Sequence, residues 1–505
     1  MKSSKNELGH RSISAVFWGV GGTVTQILLQ LGSQITLARL LGPEQFGLFA
    51  VGAIVISFSN FFADIGIAYG LIQKENVTNE DVRFVFTWQF LLGVFTAAVV
   101  AAFAGQIALF FGDSRSENIV MWLSLICFFN ALAAPALSIL KRNLDFKHIK
   151  ISQVSSYILG YLCIGIPLAF NGYQVWALVI AWVTQSALMT IFLFLGVKHS
   201  IKPLIWHQES RNLSGYGLIV LTTNITNWMI NNIDRVIVGK VFAAQQMGLY
   251  TTPYNILFNP TTSLISVIQP VFFSATARIA DQPKKIEAAY RALIGSVCLF
   301  ILPVFTTVSM VASTFVLALY GFEWRESATI LRPLALVMPL FIIWGLSTPM
   351  LWVGGHTTRE FKSQVPIALI WIIVAWFAAH VSLVAVAWAT FILFFLRCFV
   401  IIRSVVNLLL YDLPALWRAA RGGVLMSIIV ALVVGIADMV FRKYSQLPLV
   451  WLTWDIFVAI IIMAFLLITT PAFRADEVNE LLSRLFVRLP GKLGRSLQII
   501  TKERM

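Results

Sequence analysis

Long apolar segments recur along the whole of this 505-residue chain, and they restrict its fold more than any other feature. Each is roughly 20 residues long, the length of an α-helix that crosses a lipid bilayer. Hydrophobic residues make up 58% of the sequence and charged residues only 12%, which a water-soluble domain could not accommodate. A membrane β-barrel would instead show alternating polarity in segments of about 10 residues. We therefore expect an all-α integral membrane protein with about 14 transmembrane helices.

The charges between the apolar segments predict how the chain is oriented in the membrane. Lysine and arginine are concentrated in every second connection, for example at 141–150 and 278–285, and again in the C-terminal tail. Connections with this bias remain on the cytoplasmic side. Both termini are therefore expected to be cytoplasmic. Because this topology also explains the basic pI of about 9.8, we expect no nucleic-acid partner.

One pattern of polar residues occurs twice within apolar sequence, at an offset of 201 residues. Residues 38–49 read ARLLGPEQFGLF and residues 239–250 read GKVFAAQQMGLY, so that Arg39 aligns with Lys240. Upstream, spacings of three and four residues place each polar set along one face of a helix. The aligned positions are Thr23, Gln26, Gln30, Ser33 and Gln34 in the first helix and Asn224, Asn227, Asn231, Asp234 and Arg235 in the seventh. We interpret the repeat as a duplicated bundle around a water-filled cavity.

The repeat and the longest polar connection together predict the domain organisation. Six helices separate the two copies of the pattern, so both halves should cross the membrane in the same direction. The fold expected is two pseudo-symmetric six-helix lobes with two extra C-terminal helices. The predicted segments are an N-terminal lobe at 1–197, a cytoplasmic linker at 198–213, a C-terminal lobe at 214–410, helices thirteen and fourteen at 411–470, and a cytoplasmic amphipathic tail at 471–505.

Common catalytic and metal-binding motifs are missing from the sequence. It contains no GxxxxGK followed by Ser or Thr, no HExxH, no GxSxG, and no cysteine or histidine cluster with the spacing of metal ligands. We therefore expect no catalytic residue, no metal and no bound cofactor. The short connections expected outside the membrane, such as those at 42–45 and 171–174, are also too small to form an enzyme site. These observations favour transport over catalysis.

Polar residues within the predicted spans are the candidates for a binding site, because a charge in a bilayer is costly unless it faces a cavity or a partner. Asp64 and Asp234 are candidates for coupling to H⁺ or Na⁺, and Arg397 for a phosphate contact on the inner side. The residues predicted to line a substrate cavity are Gln26, Gln30, Arg39, Asn227, Trp228, Asn231, Arg235 and Lys240.

Each candidate also has a structural alternative. Arg39 and Lys240 could extend to the outer headgroups, and Arg397 to the inner ones. Asp234 or Arg235 could pair with a neighbouring helix, and Asp64 could be a helix-end residue. The aromatic residues could form interfacial belts instead of stacking on sugars.

Five segments of the chain together form a recognisable combination: ARLLGPEQFGLFA, FADIGIAYGLIQKENVTNEDV, LKRNLDFKHI, GYQVWALV and IDRVIVGKVFAAQQMGLYTTPYN. They resemble the Wzx-type polysaccharide transporters, in the branch that includes the colanic acid exporter. This family belongs to the superfamily of multidrug/oligosaccharidyl-lipid/polysaccharide exporters, together with the lipid II flippase and the MATE drug pumps. Arg39 and Asp64 match positions at which the lipid II flippase carries an arginine and an acidic residue.

The resemblance implies two six-helix lobes facing each other in a V, in a bacterial inner membrane. It also implies that the substrate is an undecaprenyl-pyrophosphate-linked oligosaccharide, moved from the cytoplasmic to the periplasmic leaflet for surface polysaccharide synthesis. On this hypothesis the protein works by alternating access, and Arg39, Arg235 and Lys240 hold the diphosphate. Gln26, Gln30, Asn227 and Asn231 would hydrogen-bond the glycan. Membrane lipids, a polysaccharide polymerase and glycosyltransferases are the further partners expected.

Two alternatives remain open on the sequence. A cation-coupled multidrug exporter of the same superfamily would require acidic residues in the cavity as counter-charges for drug cations. A membrane glycosyltransferase or ligase would require an external domain, for which the connections are too short.

Overall fold

The secondary structure of the chain is almost entirely helical. The computed structural model describes residues 2–63, 66–74, 76–206, 217–279, 281–353, 357–408 and 413–470, together with 473 and 479. No β-strand occurs within these ranges. Contacts between residues divide the chain into two compact units, Met1–Thr252 and Pro253–Met505.

The described residues of the first unit form ten α-helices and the beginning of an eleventh. The helix α7 continues through a π-helical stretch, Ile158–Gly165, into α8. Helix α6 packs against both α3 and α9, and α1 packs against α5, α7 and α10. The bounds are α1 Lys2–Ala63, α2 Ile67–Gln73, α3 Asn79–Ala102, α4 Ala104–Phe111, α5 Ser116–Leu123, α6 Leu125–Arg142, α7 Phe146–Tyr157, α8 Ile166–Phe170, α9 Val175–Val197, α10 Gly217–Val241 and α11 Ala244–Ala277.

In the second unit, the described part of the chain forms the remainder of α11 and eight further α-helices. A π-helical stretch, Val297–Ile301, joins α12 to α13, and a short 3₁₀ turn, Phe322–Trp324, precedes α15. Helix α15 packs on α17, and the last two helices pack on each other and on α13 and α14. The bounds are α12 Pro283–Ser296, α13 Leu302–Met310, α14 Ala312–Leu319, α15 Ser327–Val353, α16 Thr357–Val381, α17 Leu383–Leu408, α18 Leu413–Phe441 and α19 Pro448–Thr469.

Helix α1 is two membrane spans joined by a kink. Gly42 lies inside it with φ 72° and ψ 175°, which is a conformation that is almost restricted to glycine. Pro43 follows directly and lacks the amide hydrogen that would continue the helical hydrogen bonds. The predicted first and second spans therefore form one helix with a sharp break between them.

The predicted number of membrane spans is confirmed. In the described part of the chain, twelve helices are long and apolar enough to cross a bilayer, and the first of them, Trp18–Ala63, extends over 46 residues and covers two predicted spans. Helix α10 is the predicted seventh span. It is not among these twelve because its many polar residues lower its mean hydropathy. Large apolar side chains such as Phe95, Phe377 and Ile392 lie exposed on these helices, as expected of surfaces that face lipid. The chain is a multi-pass membrane protein.

The predicted linker lies partly within the described residues. Its first section, 198–206, runs along α3, where the Arg83 guanidinium donates to the Lys202 and Pro203 carbonyls at 3.1 and 3.2 Å. The Trp88 Nε1 donates to the Ile205 carbonyl at 3.1 Å. Residues 207–213 and nearly all of the predicted tail at 471–505 lie outside the described residues, and the predicted lobe boundaries stay a prediction.

Candidate functional site

The two repeated polar helices, α1 and α10, are neighbours within the first unit. The Trp228 Nε1 donates to the Ser57 Oγ at 2.9 Å, and the Trp228 and Phe58 ring centroids are 4.9 Å apart. The indole is therefore fixed against the second half of α1. A sugar could reach only the part of the ring that Phe58 leaves uncovered.

One pair of aligned residues makes chemically similar contacts in the two copies of the repeat, although the partner tyrosines are not themselves aligned. Ser33 and Asp234 are both buried, and each hydrogen-bonds a tyrosine hydroxyl. Ser33 contacts Tyr157, and the Tyr250 hydroxyl donates to the Asp234 Oδ2 at 2.8 Å. The predicted ion-coupling residue Asp234 thus also has a structural partner. The sequence pattern predicted the position of Asp234 on the polar face, but it did not predict that Tyr250 would be its hydrogen-bond partner.

The next aligned pair, Gln34 and Arg235, differs between the two copies. The Gln34 Nε2 donates to the Thr252 carbonyl at 3.2 Å, so it links α1 to α11. Arg235 is buried, and its Nη1 lies 3.4 Å from the Asn232 Oδ1 on its own helix. A guanidinium in this position is largely removed from water. Its interaction with an anion is therefore stronger than that of a guanidinium on the protein surface.

The predicted neutral cavity residues are half-buried, and the predicted terminal cations are exposed. Gln26, Gln30, Asn227 and Asn231 all have intermediate exposure on α1 and α10. Such side chains are accessible enough to exchange hydrogen bonds with a ligand. Arg39 is exposed near the end of the first span.

Lys240 lies at the end of α10 beside a small cavity. Its ammonium is 4.9 Å from the centre of the Phe110 ring, a cation–π distance. The cavity has a volume of about 270 Å³, and Asp113, Phe111 and Ala244 are among the residues that line it. Hydrogen bonds from Arg115 hold the pKa of Asp113 below its usual range, so this carboxylate stays charged. Lys240 therefore shares this cavity with a fixed negative charge, and its predicted contact with an anionic substrate stays a prediction.

The two glycines of the repeat make a reciprocal backbone contact that the sequence analysis did not assign. A Cβ atom on Gly47 would lie 1.6 Å from the Ala244 carbonyl oxygen, and one on Gly248 would lie 1.8 Å from the Pro43 carbonyl oxygen. Pro43 and Ala244 are themselves aligned at the offset of 201 residues. The contact is thus two-fold symmetric in sequence, and it holds the start of α11 directly against the second half of α1. The alignment of Gly47 with Gly248 was the available signal.

Arg397 lies in the second unit and is fully buried there. Its guanidinium carbon is 3.6 Å from the centre of the Trp344 ring, and its Nε donates to the Gln364 Oε1 at 2.9 Å. These contacts are those of a packing residue, and the phosphate contact stays a prediction. Asp64, the other predicted coupling residue, lies outside the described residues. Over the described ranges, no group of three or more His, Cys, Asp or Glu side chains could hold a metal ion.

Sequence comparisons place the chain among proteins of polysaccharide synthesis. Residues 36–329 match a family model described as polysaccharide biosynthesis protein. The lipopolysaccharide biosynthesis protein WzxC of Escherichia coli is 24% identical over 71% of this chain and 73% of its own length. The succinoglycan biosynthesis transport protein ExoT of Rhizobium meliloti is 22% identical over 64% of this chain and 65% of its own. The teichuronic acid biosynthesis protein TuaB of Bacillus subtilis is 20% identical over 74% of this chain and 78% of its own.

Solved structures identify the fold. The lipid II flippase MurJ in an inward closed conformation superposes with a TM-score of 0.72 at 15% identity, covering 88% of this chain and 97% of that one. An inward-facing multidrug resistance MATE transporter gives a TM-score of 0.61 at 14% identity, covering 78% of this chain and 98% of that one. The predicted lipid II flippase/MATE-like fold is therefore confirmed. The predicted Wzx-type resemblance and the prediction of a transporter, not an enzyme, are also confirmed, and the chain belongs to the polysaccharide biosynthesis protein family.

Proposed function

We propose that this protein moves a lipid-linked oligosaccharide repeat unit across the bacterial inner membrane, from the cytoplasmic to the periplasmic leaflet, for the synthesis of a surface polysaccharide. The observation that carries the proposal is the pair of polar faces on α1 and α10, which pack in one unit of a protein of the polysaccharide biosynthesis family. Half-buried amides on both helices offer donors and acceptors to a glycan. The cations Arg39, Arg235 and Lys240 supply the positive charge that a diphosphate requires.

The transport cycle we propose is alternating access. The reciprocal contact at Gly47 and Gly248 supports it, because a backbone-to-backbone contact without side chains can close tightly and separate as a rigid interface. With cytoplasmic termini this contact lies on the periplasmic side. The isoprenoid tail would remain in the bilayer while the headgroup crosses.

Energy coupling and partners are further parts of the proposal. Asp234 and Asp64 are the candidates for binding H⁺ or Na⁺ during the cycle. The glycosyltransferases would assemble the lipid-linked precursor at the cytoplasmic leaflet. The polysaccharide polymerase would act on the transported product at the periplasmic leaflet. No bound cofactor is required by this scheme.

The proposal is tested by export in a host whose own lipid-linked oligosaccharide transporter has been deleted. We expect the unmodified chain to restore surface polysaccharide, and Arg39→Ala or Arg235→Ala to reduce it strongly at equal protein level. Arg418→Ala is a matched control, because Arg418 is an exposed cation at the beginning of α18, a helix that carries neither polar face. Normal export by both Arg39→Ala and Arg235→Ala would rule out the cationic site.

Two further readouts separate the alternatives. Efflux of a cationic dye that depends on this chain would assign it to drug export instead. Transfer of sugar from a lipid-linked donor by the purified protein would assign it to a glycosyltransferase or ligase.

A further inference from the structure

A buried acidic residue, Asp438, lies near the end of α18 in the second unit. Its carboxylate accepts hydrogen bonds from the Arg442 Nε at 3.0 Å and from the Thr314 Oγ1 at 2.5 Å. The Arg442 Nη2 also lies 2.7 Å from the Asp438 Oδ2. Asp438 and Arg442 therefore neutralise each other, one turn apart on the chain.

A second acidic residue, Asp455, faces this ion pair from α19. It is 1% exposed, and neither of its carboxylate oxygens accepts a hydrogen bond from the described residues. Trp451, one turn before Asp455 on α19, has its ring centre 5.4 Å from the Arg442 guanidinium carbon, so Asp455 lies on the face of α19 that meets α18 at the ion pair. If both carboxyls were ionised, two buried negative charges would share one cation, which is costly in an apolar environment.

The remaining charged groups nearby do not supply the missing positive charge. Helix α19 packs against α18 and α14, which contribute Asp438, Arg442 and the hydroxyl of Thr314. Lys443 and Tyr444, in the turn between α18 and α19, are both exposed to the surroundings. The Arg442 guanidinium is also positioned by the Trp451 ring, 5.4 Å from its centre. One positive charge is therefore needed to balance the pair.

A proton meets this requirement better than a metal cation does. Hard cations such as Ca²⁺ and Mg²⁺ take about six or more oxygen ligands. Here the Thr314 hydroxyl already contacts both Asp438 and Arg442, and Asp438 already accepts from Arg442. Few oxygens are left for a metal ion, whereas a proton needs only the two facing carboxyl groups.

We propose that Asp438 and Asp455 form a proton-binding site in which the two buried carboxyl groups share one proton. The site shares no residue with the polar faces of α1 and α10, and it belongs to the two helices predicted as an addition to the six-helix lobes. Loss of the proton leaves two like charges facing each other between α18 and α19. The packing of α19 against α18 and α14 is therefore sensitive to pH.

The proposal is tested on the purified full-length chain in lipid nanodiscs, without any transport assay. Infrared difference spectra recorded as the pH is raised should show a protonated carboxyl band that disappears, and Asp455→Asn should lack it. The apparent melting temperature of the unmodified chain should fall as the pH rises, because the folded state binds one more proton. Between the titration points of the unfolded and the folded state this corresponds to a loss of about tenfold in the folding constant per pH unit, and above the folded-state titration point the loss levels off.

Two controls decide between the outcomes. Asp455→Asn resembles the protonated pair, so its melting temperature should not show this fall, whereas Asp281→Asn removes an exposed carboxyl and should behave as the unmodified chain does. A melting temperature independent of pH together with no carboxyl band in the unmodified chain would overturn the proposal. Recovery of stability at high pH by sodium chloride, but not by choline chloride, would overturn it in favour of a sodium site. If Asp455→Asn does not fold, the infrared titration of the unmodified chain still decides.

Discussion

At the scale of single residues, one aligned pair of the repeat differs in chemistry although both members contact a tyrosine hydroxyl. Ser33 and Asp234 occupy aligned positions, and each meets a tyrosine hydroxyl in a buried location. A serine hydroxyl needs no counter-charge, whereas a buried carboxylate needs donors or a cation. The second copy therefore carries a group that can respond to an ion at a place where the first copy only packs.

The Tyr250 hydroxyl should contribute to stability through Asp234. We expect Tyr250→Phe to destabilise the protein by about 1–3 kcal/mol, because a buried acceptor loses its donor. The free energy of unfolding should be measured for Tyr250→Phe, Asp234→Asn and the double variant, and a coupling of about 0.5–3 kcal/mol is expected. Tyr320→Phe is the control, since the Tyr320 hydroxyl is buried with no partner among the described residues. Strictly additive effects of the two changes would contradict the pairing.

The reciprocal glycine contact should not tolerate a methyl group. Gly47→Ala and Gly248→Ala each place a Cβ within 2 Å of a carbonyl oxygen, and overpacking of this kind costs about 1–3 kcal/mol. A lowered melting temperature is the expected result. Gly32→Ala on the same helix α1 has nothing within 4 Å of its Cβ, so it should be neutral or gain about 0.5–1 kcal/mol. Equal melting temperatures for all three variants would show that the contact is looser than described.

At the scale of elements, the break in α1 determines how the two halves of that helix are placed. The second half begins at Pro43 and brings Gly47 into contact with Ala244. In a straight helix, the polar face of the first span and the glycine contact would lie on one continuous helix axis. The kink instead places the polar face on the segment before residue 42 and the glycine contact on the segment after it.

Gly42 should be required for the break. Its φ of 72° with ψ of 175° strains any residue with a side chain, so we expect Gly42→Ala to cost about 1–3 kcal/mol. The melting temperature and the export of polysaccharide should both fall. Gly21→Ala, which also lies on α1 and meets nothing within 4 Å, is the matched control. An unchanged melting temperature in Gly42→Ala would mean that the backbone there adopts another conformation.

At the scale of the whole molecule, the proposed cycle requires the repeat contact to open. Glu44 and Gln245 are exposed, are aligned in the repeat, and each follows a residue of the glycine contact. We expect a bifunctional maleimide to join Glu44→Cys to Gln245→Cys, after the four native cysteines have been replaced, and to stop export. The single variant Glu44→Cys, treated in the same way, should retain it. Continued export by a fully crosslinked protein would exclude opening at this contact.

The sequence by itself determined the class of fold and the position of the candidate site along the chain. The length and composition of the apolar segments required membrane-spanning helices. The bilayer core contains no water to bond the backbone N–H and C=O groups, and a helix pairs all of them within one segment. Spacings of three and four residues placed Gln26, Gln30, Asn227 and Asn231 on helix faces. The family followed from the motifs around Arg39 and Asp234.

Only the tertiary structure decided which polar residues meet. Trp228 with Ser57 and Asp234 with Tyr250 are pairs on different helices, and helical periodicity gives the face of a residue but not the partner that covers it. The same limit applied to Arg397, which the sequence placed near the inner headgroups and which the structure buries against Trp344. Partners between helices depend on packing angles and kinks such as that at Gly42, and these are set by the sum of many contacts that no local pattern encodes.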